Sequence, residues 1–166
     1  MHRQVTLAPR HDPCAALSRP SRCVVSATWT LVDAVLDALD ASPPGTPLTL
    51  ATYSAGVAAL RRILRHPRRG PTTVYVDASI ASRRPQAVSV LEEMGEVLLR
   101  HLHVKAAVIA ETRTIISSAN LGKCRGHELT LCYDDPDLAQ WLLGELAAMP
   151  AGLLPSRSNA AKGAAL

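Results

Sequence analysis

Four residues of this chain have the types and spacing to act together at a phosphorus centre: His103, Lys105, Ser118 and Asn120. His103 and Lys105 are two apart, so on a strand their side chains share one face. Val104, Ala106 and Val108 complete a short, mostly apolar run. Glu111-Thr-Arg113 then reads as a polar turn and Thr114–Ser117 as a returning strand. Such a hairpin carries Ser118 and Asn120 back toward His103 and Lys105. An imidazole nucleophile beside a cation and two neutral hydrogen-bonding groups suits attack on phosphorus.

These residues resemble the signature of the phospholipase D superfamily: His-x-Lys, four residues, Asp, six residues, then Gly-Ser-x-Asn. The matching positions are His103, Lys105, Ala110, Ser117, Ser118 and Asn120, with the spacing kept throughout. Glu128 falls where related phage-type sequences carry an acidic residue after a Ser-Ala-Asn-Leu segment. Ala110 stands where the family has Asp, which bears on the support of the site more than on its nucleophile. Ser117 replaces the small Gly. Glu111 neighbours Ala110, but strand geometry is expected to point it to the other face.

The resemblance implies a mechanism. His103 attacks phosphorus and forms a phosphohistidine, while His103 of a second copy protonates the leaving alcohol and later activates water. Lys105 and Asn120 hold the non-bridging oxygens, Ser118 bonds the phosphate or steadies the histidine, and Glu128 orients an imidazole. The chain carries one His-x-Lys with a following Ser-x-Asn, and the family's site is a two-fold assembly of two such motifs. A homodimer is therefore implied. No metal or other cofactor is implied.

Strands alternating with helices must position these groups. A helix capped by Ser26 or Thr28 is expected through about Leu39, stopped by Ala41-Ser-Pro-Pro-Gly-Thr-Pro47. Leu48–Tyr53 reads as a strand, Ser54-Ala-Gly56 as a turn, and Val57–His66 as a helix ending before Pro67. A strand at Thr72–Val76, a helix at Pro85–Met94 with proline in the first turn, and the segment Glu96–Leu99 follow. After the hairpin come a strand at Glu128–Tyr133 and a last helix from Asp135 that carries Trp141. This is an α/β sandwich with a mixed central β-sheet flanked by helices. Residues 1–22 read as a flexible tail, 23–150 as the phospholipase D-like domain, and 151–166 as a second flexible tail. Trp29 and Trp141 are expected in the core. His101 reads as structural or substrate-facing, and His127 as a loop residue.

At 166 residues, with 48% hydrophobic and 19% charged residues and no Phe, the composition is that of one globular domain with an aliphatic core. No apolar run approaches the ~20 residues of a membrane-spanning helix, so no membrane partner is expected. Met1–Arg10 lacks the pattern of a secretory signal. Cys14, Cys23, Cys124 and Cys132 show no metal-ligand spacing and read as reduced thiols of a cytoplasmic protein.

The net charge of +4 is unevenly spread: Arg61, Arg62, Arg65, His66, Arg68 and Arg69 fall within nine residues, and Arg83-Arg84 forms a second pair. Such clusters suit a polyanion, though arginines near a helix C-terminus also complement its dipole. Arg61, Arg62 and Arg65, with Ser54 at the end of a strand, are the expected substrate-binding residues. Two functions remain open: a metal-independent phosphodiesterase acting as a nuclease, and a catalytically degenerate module that binds nucleic acid. Intact His103, Lys105, Ser118 and Asn120 favour the first, and Ala110 the second.

Overall fold

The computed structural model describes residues 19–26, 28–122 and 126–152. Cys14, Cys124 and nearly all of both expected tails lie outside the described residues. In chain order the elements are β1 (Arg22–Ser26), α1 (Leu31–Asp40), β2 (Thr46–Thr52), α2 (Val57–Leu64), β3 (Arg69–Asp77) and α3 (Ile80–Arg83). They continue with α4 (Pro85–Met94), β4 (Glu96–Arg100), β5 (Ala106–Ile109), β6 (Arg113–Ser117), β7 (Glu128–Asp134) and α5 (Pro136–Ala148).

Among the described residues the strands form one mixed seven-stranded sheet in the order β1-β7-β6-β5-β2-β3-β4. β2, β3 and β4 run parallel. The other neighbours are antiparallel. The expected α/β sandwich is therefore the architecture found. α1, α2 and α4 bury one face of the sheet over Leu50, Val74, Val76, Ala107 and Ile115. α5 covers the other, where Ala51, Tyr75, Ala106 and Val108 meet Ala139, Leu142 and Leu146. No helix of the described residues is long and apolar enough to cross a membrane.

Local chemistry sets several boundaries. α4 begins at Pro85, whose missing N–H costs nothing in a first turn. It ends at Gly95 (φ 156°), where a Cβ would sit 2.1 Å from the Thr72 carbonyl oxygen. Asp135 caps α5, accepting from the Asp137 and Leu138 N–H groups at 3.0 and 3.1 Å.

Three expectations need correction. α1 is capped at Thr30, not at Ser26 or Thr28, and Asp33 reaches back to accept from the Thr30 N–H (2.9 Å) and hydroxyl (2.8 Å). The Ser26 hydroxyl instead turns the chain, accepting from the N–H groups of Thr28 and Trp29. Arg22–Ser26 is the edge strand β1, not the end of a tail and a helix start; it is mostly exposed, so no apolar alternation betrays it. Trp29 precedes α1 and packs, half-buried, against the edge of the core beneath the Arg22 guanidinium with its Nε1–H on Asp37, whereas Trp141 is 39% exposed and not a core residue.

Candidate active site

The strand directions bring one set of ends together: the carboxyl ends of β2, β3 and β6 with the amino ends of β5 and β7. The amino ends of α2 and α4 follow directly from β2 and from the short helix after β3. Ligands of open α/β sheets bind outside carboxyl strand ends of this kind.

His103 and Lys105 lie here, but on the extended segment before β5 and not on the strand itself. That segment is pinned to β6, because the Lys105 carbonyl accepts from the Ser117 N–H at 2.9 Å. Lys105 Nζ stands 3.4 Å from His103 Nδ1 and 3.3 Å from the His103 carbonyl oxygen. The shared face survives without regular strand geometry. The exposed imidazole also packs on Tyr53 at the end of β2, with ring centroids 4.7 Å apart and planes tilted by 59°.

Tyr53 is itself braced, with the Arg83 guanidinium 4.4 Å from its ring centroid. Arg83 donates to Ser79 Oγ at 2.5 Å and approaches Asp77 at 3.7 Å. Asp77 accepts from the Ser79 hydroxyl and N–H and from the Leu102 N–H, which ties the end of β3 to the segment carrying His103. Burial pushes the Asp77 carboxyl up. The hydrogen bonds from Ser79 and Leu102, with the nearby Arg83 charge, outweigh it and hold the carboxyl below the usual carboxylate range.

The second group of expected residues stands around a cleft of about 1000 Å³ whose lining includes Ser54, Ser118, Asn120, Glu128, Arg62 and Arg84. The Ser118 hydroxyl donates to Glu128 Oε2 and accepts from the Leu129 N–H at 3.0 Å. Among the described residues, then, Glu128 meets a hydroxyl and not an imidazole. Asn120 Oδ1 is buried with no hydrogen-bond partner among the described residues, which leaves an acceptor in the cleft wall unsatisfied. Ser117, in place of Gly, is accommodated: its hydroxyl meets Thr130 Oγ1 at 2.8 Å and accepts from the Ala119 N–H at 3.1 Å.

The expected basic residues fare differently. Arg62 lines the cleft but is held by Asp33 at 2.9 Å. Burial raises the Asp33 carboxyl, yet hydrogen bonds from Thr30 and Arg62 bring it below its ordinary value. Arg61 and Arg65 are exposed at the far end of α2 and do not line the cleft. His66 meets Asp40 at 3.2 Å, and Arg69 is spent on Thr72 Oγ1 and backbone carbonyls. Much of this run is thus structural. Arg84 and Arg83, flagged in the sequence only as a second basic pair, are the arginines beside Ser54, and Tyr53 is the ring beside the histidine. Among the described residues no three His, Cys, Asp or Glu side chains gather as a metal site would need.

Ala110 is remote from all of this. It sits with Glu111 in the turn between β5 and β6, both residues in the left-handed region (φ 55° and 57°), and its N–H donates to the Pro47 carbonyl at the start of β2. The polar turn is therefore 110–112; Arg113 already belongs to β6, and Glu111 is a turn residue that accepts from Gln140 on α5, so the strand argument about its direction does not apply. Ala110 lies five residue steps along extended chain from Lys105, roughly 16 Å at about 3.3 Å per step. The position faces the opposite end of the sheet.

No protein-family profile and no curated protein matches the chain. Solved structures do. NucT from Helicobacter pylori superposes with a TM-score of 0.62 at 14% identity, over 77% of this chain and 93% of that one. Nuc from Salmonella typhimurium, a phospholipase D family member, gives 0.55 at 13% identity, over 76% and 93%. Polyphosphate kinase from Porphyromonas gingivalis gives 0.54 at 15% identity, over 82% of this chain but 27% of the kinase. The chain has the fold of the phospholipase D superfamily, as its motif spacing led one to expect.

Proposed function

From that fold as premise, we propose that the protein is a metal-independent phosphodiesterase, a nuclease that works through a covalent phosphohistidine at a site completed by homodimerisation. The observation that carries the reading is the exposed His103 imidazole with Lys105 Nζ 3.4 Å away; Ser118, Asn120 and Glu128 line a cleft at the same end of the sheet, although His103 and Lys105 are not among its lining residues. A ring nitrogen of His103 attacks phosphorus and the P–O bond to the leaving group breaks. The departing alkoxide takes a proton from a second imidazole. That imidazole then deprotonates water, which attacks phosphorus, breaks the N–P bond and releases a phosphomonoester. Lys105 and Asn120 stabilise the growing charge on the non-bridging oxygens.

The two roles favour a second copy. An imidazole cannot attack phosphorus through a free ring nitrogen and, as the imidazolium, protonate the leaving alkoxide at the same time. The nucleophile and the acid are therefore two different rings, and two copies of His103 supply both roles. Val25, Leu129 and Ile116, 65%, 43% and 39% exposed, form an apolar strip on the α5 face beside Ser118. Such a strip suits burial against a second copy. The degenerate-module reading rested on Ala110. That residue lies in the turn at the far end of β5, which supports the catalytic reading over the degenerate one. We attach a cytoplasmic setting to this reading.

The test is hydrolysis of bis-(p-nitrophenyl) phosphate and of DNA in excess chelator, with His103→Ala alongside and in mixtures with wild type. Cleavage lost in the variant, and falling as the square of the wild-type fraction after subunit exchange, is expected. Chelator-sensitive cleavage or an unaffected variant sinks the proposal.

A further inference from the structure

A second cleft, of about 480 Å³, opens between the start of α2 and the start of α4, and Ser54, Arg83, Arg84 and Gln86 lie on its walls. Ser54 and Arg84 line the larger cleft as well, so the two openings meet at these residues. The cations nearby are not equivalent. Arg62 is neutralised by Asp33, and Arg83 is held by Ser79 and Asp77 against Tyr53. Arg84 is exposed and has no acidic partner among the described residues. Its backbone is nonetheless fixed, because its N–H donates to the Ile80 carbonyl at 2.7 Å and it forms the N-cap of α4.

We infer that Arg84, at the junction of the two clefts, binds the phosphate next to the scissile one on a nucleic-acid strand. This rests on the phosphodiesterase reading and narrows its substrate to a polymer of phosphodiesters. The chemistry is that of a guanidinium, whose fork of donors matches two phosphate oxygens. A single isolated diester would fill the site at His103 and leave Arg84 without a partner. A strand continuing past Ser54 would run along the smaller cleft and meet it. The arginines of α2, more numerous in sequence, contribute less because their positions leave the cleft or are already paired.

The experiment is fluorescence anisotropy of a short labelled oligothymidylate over a series of salt concentrations. It uses the His103→Ala protein as parent, so that binding is read without cleavage. Adding Arg84→Gln is expected to weaken binding on the order of tenfold and to lower the salt slope by about 0.7, one phosphate contact to a single strand. Arg84→Lys, which keeps the charge, is expected to retain the slope, and Arg65→Gln to change neither quantity. An Arg84→Gln protein that binds like its parent, an equal loss in Arg65→Gln, or no binding by the parent overturns the inference. Wild-type hydrolysis of bis-(p-nitrophenyl) phosphate is measured in parallel. If that substrate survives while the Arg84 dependence holds, the phosphodiesterase reading fails and the subsite stands.

Discussion

Lys105 Nζ lies 3.4 Å from His103 Nδ1, so the cation that would bind the phosphate also contacts the nucleophile. Lys105→Met keeps the length of the side chain and removes the donor. It is expected to lower kcat by about two to three orders of magnitude, the usual cost of one charge-stabilising donor. It should also remove the contact at Nδ1, visible as a shift of that nitrogen's resonance in NMR of His103. Unchanged kcat would separate Lys105 from the chemistry.

Ala110 adopts φ 55°, a conformation that costs a non-glycine residue about 1 kcal/mol or more. Ala110→Gly is therefore expected to raise stability by about 1 kcal/mol in urea unfolding. Ala110→Asp, which restores the family's motif, should be neutral to mildly stabilising, since Asp tolerates this region better. Neither should change kcat, because the turn is at the opposite end of β5 from His103. A large gain of activity in Ala110→Asp would show that the turn communicates with the site.

Asn120 offers a second contrast between stability and activity. Its Oδ1 is buried without a partner, so the folded state pays for a polar atom that it does not satisfy. Asn120→Ala should leave stability within about 1 kcal/mol of wild type or above it. Activity on bis-(p-nitrophenyl) phosphate should fall on the order of a hundredfold. Marked destabilisation with activity retained would make Asn120 a structural residue.

Asp77 links the end of β3 to the His103 segment through Leu102 and steadies Arg83 under Tyr53. Its carboxyl is held below its ordinary value in the folded chain, so the unfolded chain takes up a proton first as pH falls. The stabilisation is present in full above about pH 4 and is lost as pH drops through the folded value. Urea midpoints of wild type and Asp77→Asn should differ at pH 7 and converge below about pH 4. Parallel curves at all pH values would remove Asp77 from the acid response.

Much of this was legible because it is local. Hydrophobic period and proline punctuation placed α4 at Pro85–Met94 and α2 from Val57, and the span from His103 to Asn120 foretold a hairpin returning its far end to its start. The turn lies one residue earlier than its polarity suggested, since left-handed backbone at Ala110 and Glu111 has no mark in those residue types. β1 was hidden for a related reason: an exposed edge strand is held by ladder hydrogen bonds to β7, and its side chains carry little pattern.

The remainder was decided by contacts between residues distant in the chain. Tyr53 meets His103 because β2 lies beside β5, and Arg83 meets Tyr53 because β3 returns parallel to β2 before α3 begins. In sequence, Arg61, Arg62, Arg65 and Arg84 are interchangeable positive charges. Only the tertiary structure shows one facing a cleft, one spent on Asp33 and two turned to solvent, because an arginine's role depends on what long-range packing brings within reach of its guanidinium.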